Sequence, residues 1–247
     1  MKYNLDVLKE DICAYVLKKY PEEAVLGIKN QNIIYYENIH ENPVEHFRID
    51  PIKFNQNIPD ILIHSHTSNQ LSLKYRSNVD PRTPSLKDMQ TQDSLQIPFG
   101  ILSSDGENCS DIVVFPDNDH PLIGRPYIHG VYDCYTIIQS FYWQKFGIEL
   151  MSVPREYMWW NDGGVNLYDK YYQSAGFFEV SEDELRYGDM ILISISSTEN
   201  NHGAVYIGDN KILQHMDKRL SQEYSFSRWR NSMTKFLRHK EVKNHAT

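Results

Sequence analysis

The sequence predicts an α+β protein built as two units, each mixing helices and strands, on either side of a short polar joint. Three observations carry this. Both halves switch between helical and two-residue periodicity. The stretch Pro116-Asp117-Asn118-Asp119-His120-Pro121 is polar, bounded by prolines and aperiodic, as joints between domains are. Each half also holds its own set of chemistry-bearing residues: His64, His66, Ser85 and Asp88 in the first, Asp133, Cys134 and His202 in the second. The expected division is 1–115, a joint at 116–121, and 122–247.

In chain order, Leu5, Leu8, Ile12, Val16 and Leu17 fall at helical spacing and predict an amphipathic helix over 4–19, closed by Pro21. Residues 24–28 and 33–36 read as short strands. Ile61, Leu62 and Ile63 form a short buried strand running into His64. The polar stretch 67–84, with two prolines, reads as one long loop. Ser85 is a candidate N-cap for the helix that follows. Residues 99–102 and 112–115 read as two more strands. Beyond the joint, Asp133 can cap a helix over 134–147 with Ile137, Ile138, Phe141 and Tyr142 on its buried side. Residues 148–187 read as loop, rich in aromatics. Strands follow at 190–195, 204–207 and 211–214, the last two joined by a Gly208-Asp209-Asn210 turn.

Composition excludes some functions. The 247 residues carry a formal net charge of −8, which argues against a nucleic-acid binder held by phosphate contacts. No run approaches the ~18 apolar residues that span a bilayer, so no membrane insertion is expected. The N-terminus is charged throughout and lacks the apolar core of a secretory signal. The three cysteines, Cys13, Cys109 and Cys134, are odd in number and widely spaced, a poor disulfide framework. Reduced folding in a cytosol is therefore expected, with Cys13 and Cys109 as buried structural thiols.

The first candidate site is a metal site. Histidines at i and i+2 of an extended segment point the same way, so His64 and His66 can hold one ion. Asp88, early in a helix, can add an oxygen ligand. Two imidazoles and a carboxylate leave one position for water, the donor set of a catalytic zinc. Glu23 is the expected proton acceptor, ahead of Glu22, and Ser85 the expected hydrogen-bond donor to a developing oxyanion. An apolar strand, His64-Ser65-His66, Ser85-x-x-Asp88 and an upstream Glu together resemble the JAMM motif of the JAB/MPN metallopeptidase family. The resemblance covers roughly residues 1–115. It implies a JAB/MPN-like α/β domain with one Zn²⁺. Thr67 stands where that family usually has proline, and the loop before Ser85 is longer than usual.

The second candidate site is a thiol nucleophile. Cys134 follows Asp133 at a helix start, where exposed N–H groups and the dipole favour thiolate. His202 on a downstream strand can act as its base, and Gln214 or His215 can orient the imidazole, only one of these neighbours being expected to face inward. Trp159 and Trp160 either line a groove or form a packing cluster. The acidic run 179–184 reads as a solvated face. His40, His46, His120 and His129 show no partner pattern.

Pro126-Tyr127, Asp133-Cys134, Tyr187-Gly188-Asp189 and the run from His202 to Gly208 occur in the order of the NlpC/P60 cysteine peptidases. This resemblance covers roughly 122–220. It implies a papain-like α+β domain that cuts the peptide stems of peptidoglycan, with the third polar residue at Gln214 and Tyr127 near the oxyanion.

A JAB/MPN-like unit followed by an NlpC/P60-like unit resembles tail-tip proteins of lambda-like siphophages. That resemblance implies other phage tail-tip proteins and peptidoglycan stems as partners. It implies residence in the host cytoplasm during assembly, then at the virion tail tip, with action in the host periplasm. Two functions compete: a hydrolase with two sites, and a structural assembly factor whose peptidase sites are inactive or dispensable.

Overall fold

The computed structural model describes residues 4–75, 78–161 and 166–242. The parts of the expected loops at 76–77 and 162–165 lie outside the described residues. The chain is mixed α+β and separates into two compact units, Met1–Pro116 and Asp117–Thr247.

The first unit opens with α1 (Leu5–Lys19), whose buried residues Leu5, Ile12 and Val16 lie on one stripe. A hairpin follows, β1 (Val25–Lys29) and β2 (Asn32–Tyr36), turned by Asn30 and Gln31 at φ 49° and 62°. These are the two left-handed residues that a tight hairpin of this hand requires. A short α2 (Pro51–Gln56) is capped by Asp50, which accepts the N–H of Ile52. β3 (Ile61–Thr67) pairs antiparallel with β1 and parallel with β4 (Phe99–Ser104). A parallel pair needs a crossover, supplied by α3 (Gln70–Tyr75) and α4 (Leu86–Leu95). β5 (Val113–Phe115) completes the order β2-β1-β3-β4-β5.

Strand alternation decides the site here. Ile61 and Ile63 pack with Leu26, Ile28 and the α1 stripe. The intervening Leu62, His64 and His66 therefore emerge on the other face. The strand is longer than its apolar run predicts because both histidines are buried within it. α3 replaces part of the expected loop.

One expectation is overturned in this unit. Cys13 and Cys109 are joined as a disulfide and are not reduced thiols. The pairing ties α1 to the segment after β4 across a separation of 96 residues. Sequence spacing could not reveal it, because only the folded sheet brings the two positions together.

The second unit packs α5 (Cys134–Phe146) on an antiparallel sheet. Its strands are β6 (Phe177–Val180), β7 (Met190–Ile193), β8 (His202–Gly208), β9 (Lys211–Gln214), β10 (Gln222–Ser225) and β11 (Met233–His239), in the order β10-β9-β8-β7-β11-β6. Two short helices, α6 (Leu167–Tyr171) and α7 (Phe226–Trp229), complete it. Ile137, Ile138, Phe141 and Tyr142 of α5 bury against Leu192, Val205, Leu213 and Leu237. Gly147 ends α5 at φ 66°, a left-handed cap that glycine adopts without strain. Asp209 and Asn210 turn the β8–β9 hairpin at φ 48° and 56°. β6 and α6 occupy part of the stretch expected to be loop.

The polar joint is not slack on this side. Asp117 accepts the Tyr132 hydroxyl at 2.9 Å and Asp119 the Trp143 indole N–H at 2.8 Å. Gln144 donates to the carbonyls of Asn118 and His120. Polarity there marks exposure, and the carboxylates are spent on aromatic donors of the second unit.

Candidate functional site

In the first unit three side chains converge. His64 Nε2 and His66 Nε2 lie 3.1 Å apart, and the Asp88 carboxylate oxygens are 3.5 Å from the first and 3.7 Å from the second. All three residues are buried. A tetrahedral ion with bonds near 2.0–2.1 Å holds its ligand atoms about 3.3 Å apart, so this donor set fits one. The His66 Nδ1–H donates to Pro81 O at 2.8 Å, which leaves the Nε2 lone pair facing the centre. His64 sits against Phe47, ring centroids 4.7 Å apart. Burial alone pushes the Asp88 carboxyl up, but the two imidazoles outweigh it and hold Asp88 well below the usual range.

Ser85 caps α4 and closes a reciprocal box with Asp88: its hydroxyl donates to Asp88 Oδ2 at 2.7 Å and accepts Asp88 N–H at 3.1 Å. The hydroxyl proton expected for an oxyanion is thus given to the Asp88 carboxylate. Glu23 is 5 % exposed and lines the same groove as His66 and Asp88, its carboxyl pushed up to about 8 by burial. Glu22 is exposed and plays no part in that groove. His40 and His46, which showed no pattern in sequence, line its rim.

In the second unit a groove of about 350 Å³ is lined by Tyr127, Cys134, Trp159, Tyr168, His202 and His215, among others. Cys134 opens α5, and Asp133 is the N-cap. Asp133 accepts the N–H groups of Tyr135 and Thr136, both at 3.0 Å. That capping changes the electrostatics expected for the nucleophile. The free N–H groups of the helix start are taken by a carboxylate, and Cys134 is half-buried against Tyr168. Burial first, and then the Asp133 charge, push the Cys134 thiol up to about 11. The helix start does not by itself make a thiolate here, contrary to the sequence expectation.

His202 begins β8, and its Nε2 is 2.8 Å from Gln214 Oε1 at the end of β9. Burial pushes the His202 imidazole down to about 4. Both Gln214 and His215 are buried, contrary to the expected alternation. The reason is that β9 ends at Gln214, so His215 has left the strand and the two-residue rule no longer applies. His215 Nε2 donates to Arg219 O at 3.1 Å, and its ring meets Tyr127 edge-on at 5.2 Å. Tyr127 is held far above its ordinary value by burial, then by Asp133 and Cys134, and stays protonated.

Two residues here, Arg155 and Tyr168, were not singled out in the sequence, and a third, His129, showed no partner pattern there. Arg155 is buried and pairs with Asp133, donates to Val153 O at 2.9 Å and covers the Tyr135 ring at 5.5 Å. His129 Nδ1 lies 3.6 Å from Asp133 Oδ2, so this histidine is part of the cluster and not incidental. Tyr168 places its hydroxyl 3.4 Å from Cys134 Sγ. Trp159 and Trp160 stand edge to face at 5.7 Å and line the groove.

A half-buried cysteine at a capped helix start, with a neutral histidine and its amide acceptor on one hairpin, defines a candidate cysteine hydrolase. Residues 124–238 match the NlpC/P60 family. Over nearly its whole length the chain also resembles tail tip assembly protein K of lambda-like phages. It is 27% identical to "Tail tip assembly protein K" of Escherichia phage N15 over 243 residues, 94% of each chain. It is 34% identical to the protein of that name from Escherichia phage lambda over 120 residues, 48% of this chain and 59% of the other. Among solved structures, an NlpC/P60 family protein from Bacillus cereus aligns with a TM-score of 0.36 at 15% identity, covering 96% of this chain and 67% of that one. Among the described residues no helix is long and apolar enough to cross a membrane.

Proposed function

We propose that the chain is a phage tail-tip component whose second unit is a cysteine endopeptidase of peptidoglycan peptide stems. The observation that carries this reading is the His202–Gln214 bond in the groove that also holds Cys134. His202 takes the proton from Cys134 Sγ as the sulfur attacks the scissile carbonyl carbon. Tyr127, protonated and in the same groove, donates to the oxyanion. When the tetrahedral adduct collapses, the C–N bond breaks and the imidazolium returns its proton to the leaving amine. Water, deprotonated by His202, then hydrolyses the thioester and restores the thiol. The natural partners are other tail-tip proteins. The place of action is the host cytoplasm during assembly and the tail tip in the host periplasm at entry.

We further infer that the first unit, residues 1–115, is a JAB/MPN-like metallopeptidase domain holding one Zn²⁺ on His64, His66 and Asp88, and that the second, 122–247, is the NlpC/P60-like peptidase. His64, His66 and Asp88 would hold the ion, and the chemistry it would supply there is a water acidic enough to ionise near neutral pH. Ser85 would orient Asp88, and Glu23, which lines the same groove, would carry the proton. Metal analysis of the purified chain should find about one zinc per chain, lost in His64→Ala.

A muropeptide digest tests the second unit. The unaltered chain should cut peptide stems, Cys134→Ala should not, and EDTA should leave the cut intact. The second reading is a structural assembly factor without turnover. Phage carrying both Cys134→Ala and His64→Ala that assemble and infect normally would establish it.

A further inference from the structure

We propose that Tyr168 is a catalytic residue, a hydrogen-bond donor to the Cys134 thiolate, seated in a hole that Gly203 leaves open. The proposal deepens the peptidase reading, since it takes Cys134 as the nucleophile. Tyr168 Oη and Cys134 Sγ lie 3.4 Å apart, within reach of an O–H···S bond. A side chain at Gly203 would collide there: a Cβ at that position would sit 2.9 Å from Tyr168 Oη and 2.7 Å from Ile138 Cδ1. The residue beside the histidine base is thus bare on the side where the phenol approaches the sulfur.

The phenol is also held in place. Asn166 caps α6 through the N–H of Asp169 at 3.1 Å. Asp169 in turn accepts Asn200 Nδ2 at 2.8 Å and pairs with Lys235 of β11 at 2.7 Å. α6 is thereby pinned both to β11 and to the segment that leads into His202. The Tyr168 ring packs near Tyr135 at 6.2 Å and Trp159 at 6.1 Å, so its hydroxyl has one direction.

The groups around the sulfur pull in opposite senses. Burial and the Asp133 carboxylate disfavour the thiolate, while the Tyr168 hydroxyl, the Arg155 charge and the Gly203 amide favour it. Tyr127, His202, His129 and His215 share the groove. Tyr168 is held well above its ordinary value by burial and then by Cys134, so it remains a donor wherever the thiol ionises. A neutral hydroxyl keeps that role without adding charge to the groove.

The test is alkylation of Cys134 by iodoacetamide in the full chain, followed by peptide mass spectrometry from about pH 7 to about pH 9. Below the thiol's midpoint the rate tracks the thiolate fraction. Tyr168→Phe keeps the ring and removes the donor. It should slow labelling about tenfold at every pH, a displacement of about one pH unit. Gly203→Ala, which crowds the hydroxyl from the other side, should slow it in the same sense. A purely structural role predicts the reverse, because looser packing relieves the burial that disfavours the thiolate. An unchanged or faster rate in Tyr168→Phe overturns the proposal. Failure of the peptidase reading would show separately, as a chain that cuts no muropeptide while its labelling still depends on Tyr168.

Discussion

His202 gives its Nε2 proton to the side-chain carbonyl of Gln214, 2.8 Å away on the neighbouring strand. An amide oxygen only accepts, so this bond fixes the tautomer: Nε2 carries the hydrogen and Nδ1 keeps its lone pair. Gln214 orients the imidazole without lending it a charge, unlike a carboxylate, and burial is left free to push it down.

Removing that acceptor should cost activity more than stability. Gln214→Ala leaves either nitrogen able to hold the proton, and kcat/KM for muropeptide cleavage should fall by about 10²-fold, the low end of what acid–base catalysis contributes. Gln214→His restores a hydrogen-bonding partner and should recover most of the loss. Equal rates in Gln214→Ala and the unaltered chain would remove Gln214 from the site.

The acid side of the stability curve should be steep. His129, His202 and His215 are each pushed down to about 4 by burial. Unfolded imidazoles titrate near 6.5. Between those values the unfolded chain binds more protons, so stability falls as pH drops from about 6.5 towards about 4 and has no slope from these groups above it. Asp133 extends the same sign further down. Burial pushes its carboxyl up, but Arg155 outweighs that and holds it well below the usual range, so its contribution is complete at neutral pH and is lost only below about 3.9. Thermal melting of the second unit should be level near neutrality and fall through the mildly acidic range. A transition that rises on acidification contradicts this.

Arg155 should matter as much as any core residue of the second unit. Its buried pair with Asp133 also holds the helix start. Arg155→Ala strands a buried carboxylate, which costs about 3–5 kcal/mol. Arg155→Met combined with Asp133→Asn should cost clearly less than the sum of the two single changes, because neither charge is then left alone. Urea denaturation of the unaltered chain, Arg155→Ala, the two single variants of the cycle and the double variant reads both quantities, and additive losses would mean that the pair is not coupled.

Thiol counting should find one reactive cysteine per chain before reduction and three after it. Closing a loop across 96 residues stabilises the fold by about 4.7 kcal/mol in the chain-entropy account. Reductant should lower the stability of the first unit by about that much and leave the second unit's transition unmoved. Three titratable thiols in the untreated chain would show that Cys13 and Cys109 are not paired.

What the sequence revealed was local. His64 and His66 sit two apart on a strand, Ser85 and Asp88 share one helix turn, and Asp133 and Cys134 are adjacent, so spacing alone brought each set into register. What it concealed was non-local. Arg155 and Tyr168 reach Asp133 and Cys134 from an aperiodic stretch more than twenty residues downstream. β11 slips between β7 and β6, a pairing that no nearby periodicity announces. The thiolate expectation failed for a related reason. The helix-start argument had the right sign, but burial and the Asp133 carboxylate that caps the same helix outweigh it. The disulfide stayed hidden because spacing does not encode proximity.

The start of α5 rests on Asp133, which accepts the backbone N–H groups of Gly130, Tyr135 and Thr136 and pairs with Arg155. Cys134 bears none of that weight; its side chain meets the Tyr168 hydroxyl and the Gly203 amide. The proposed nucleophile can therefore be deleted without disturbing the scaffold that presents it. On the peptidase reading, Cys134→Ala would be a silent copy of correct shape, so an infection defect in phage carrying it would report on chemistry rather than on a missing part.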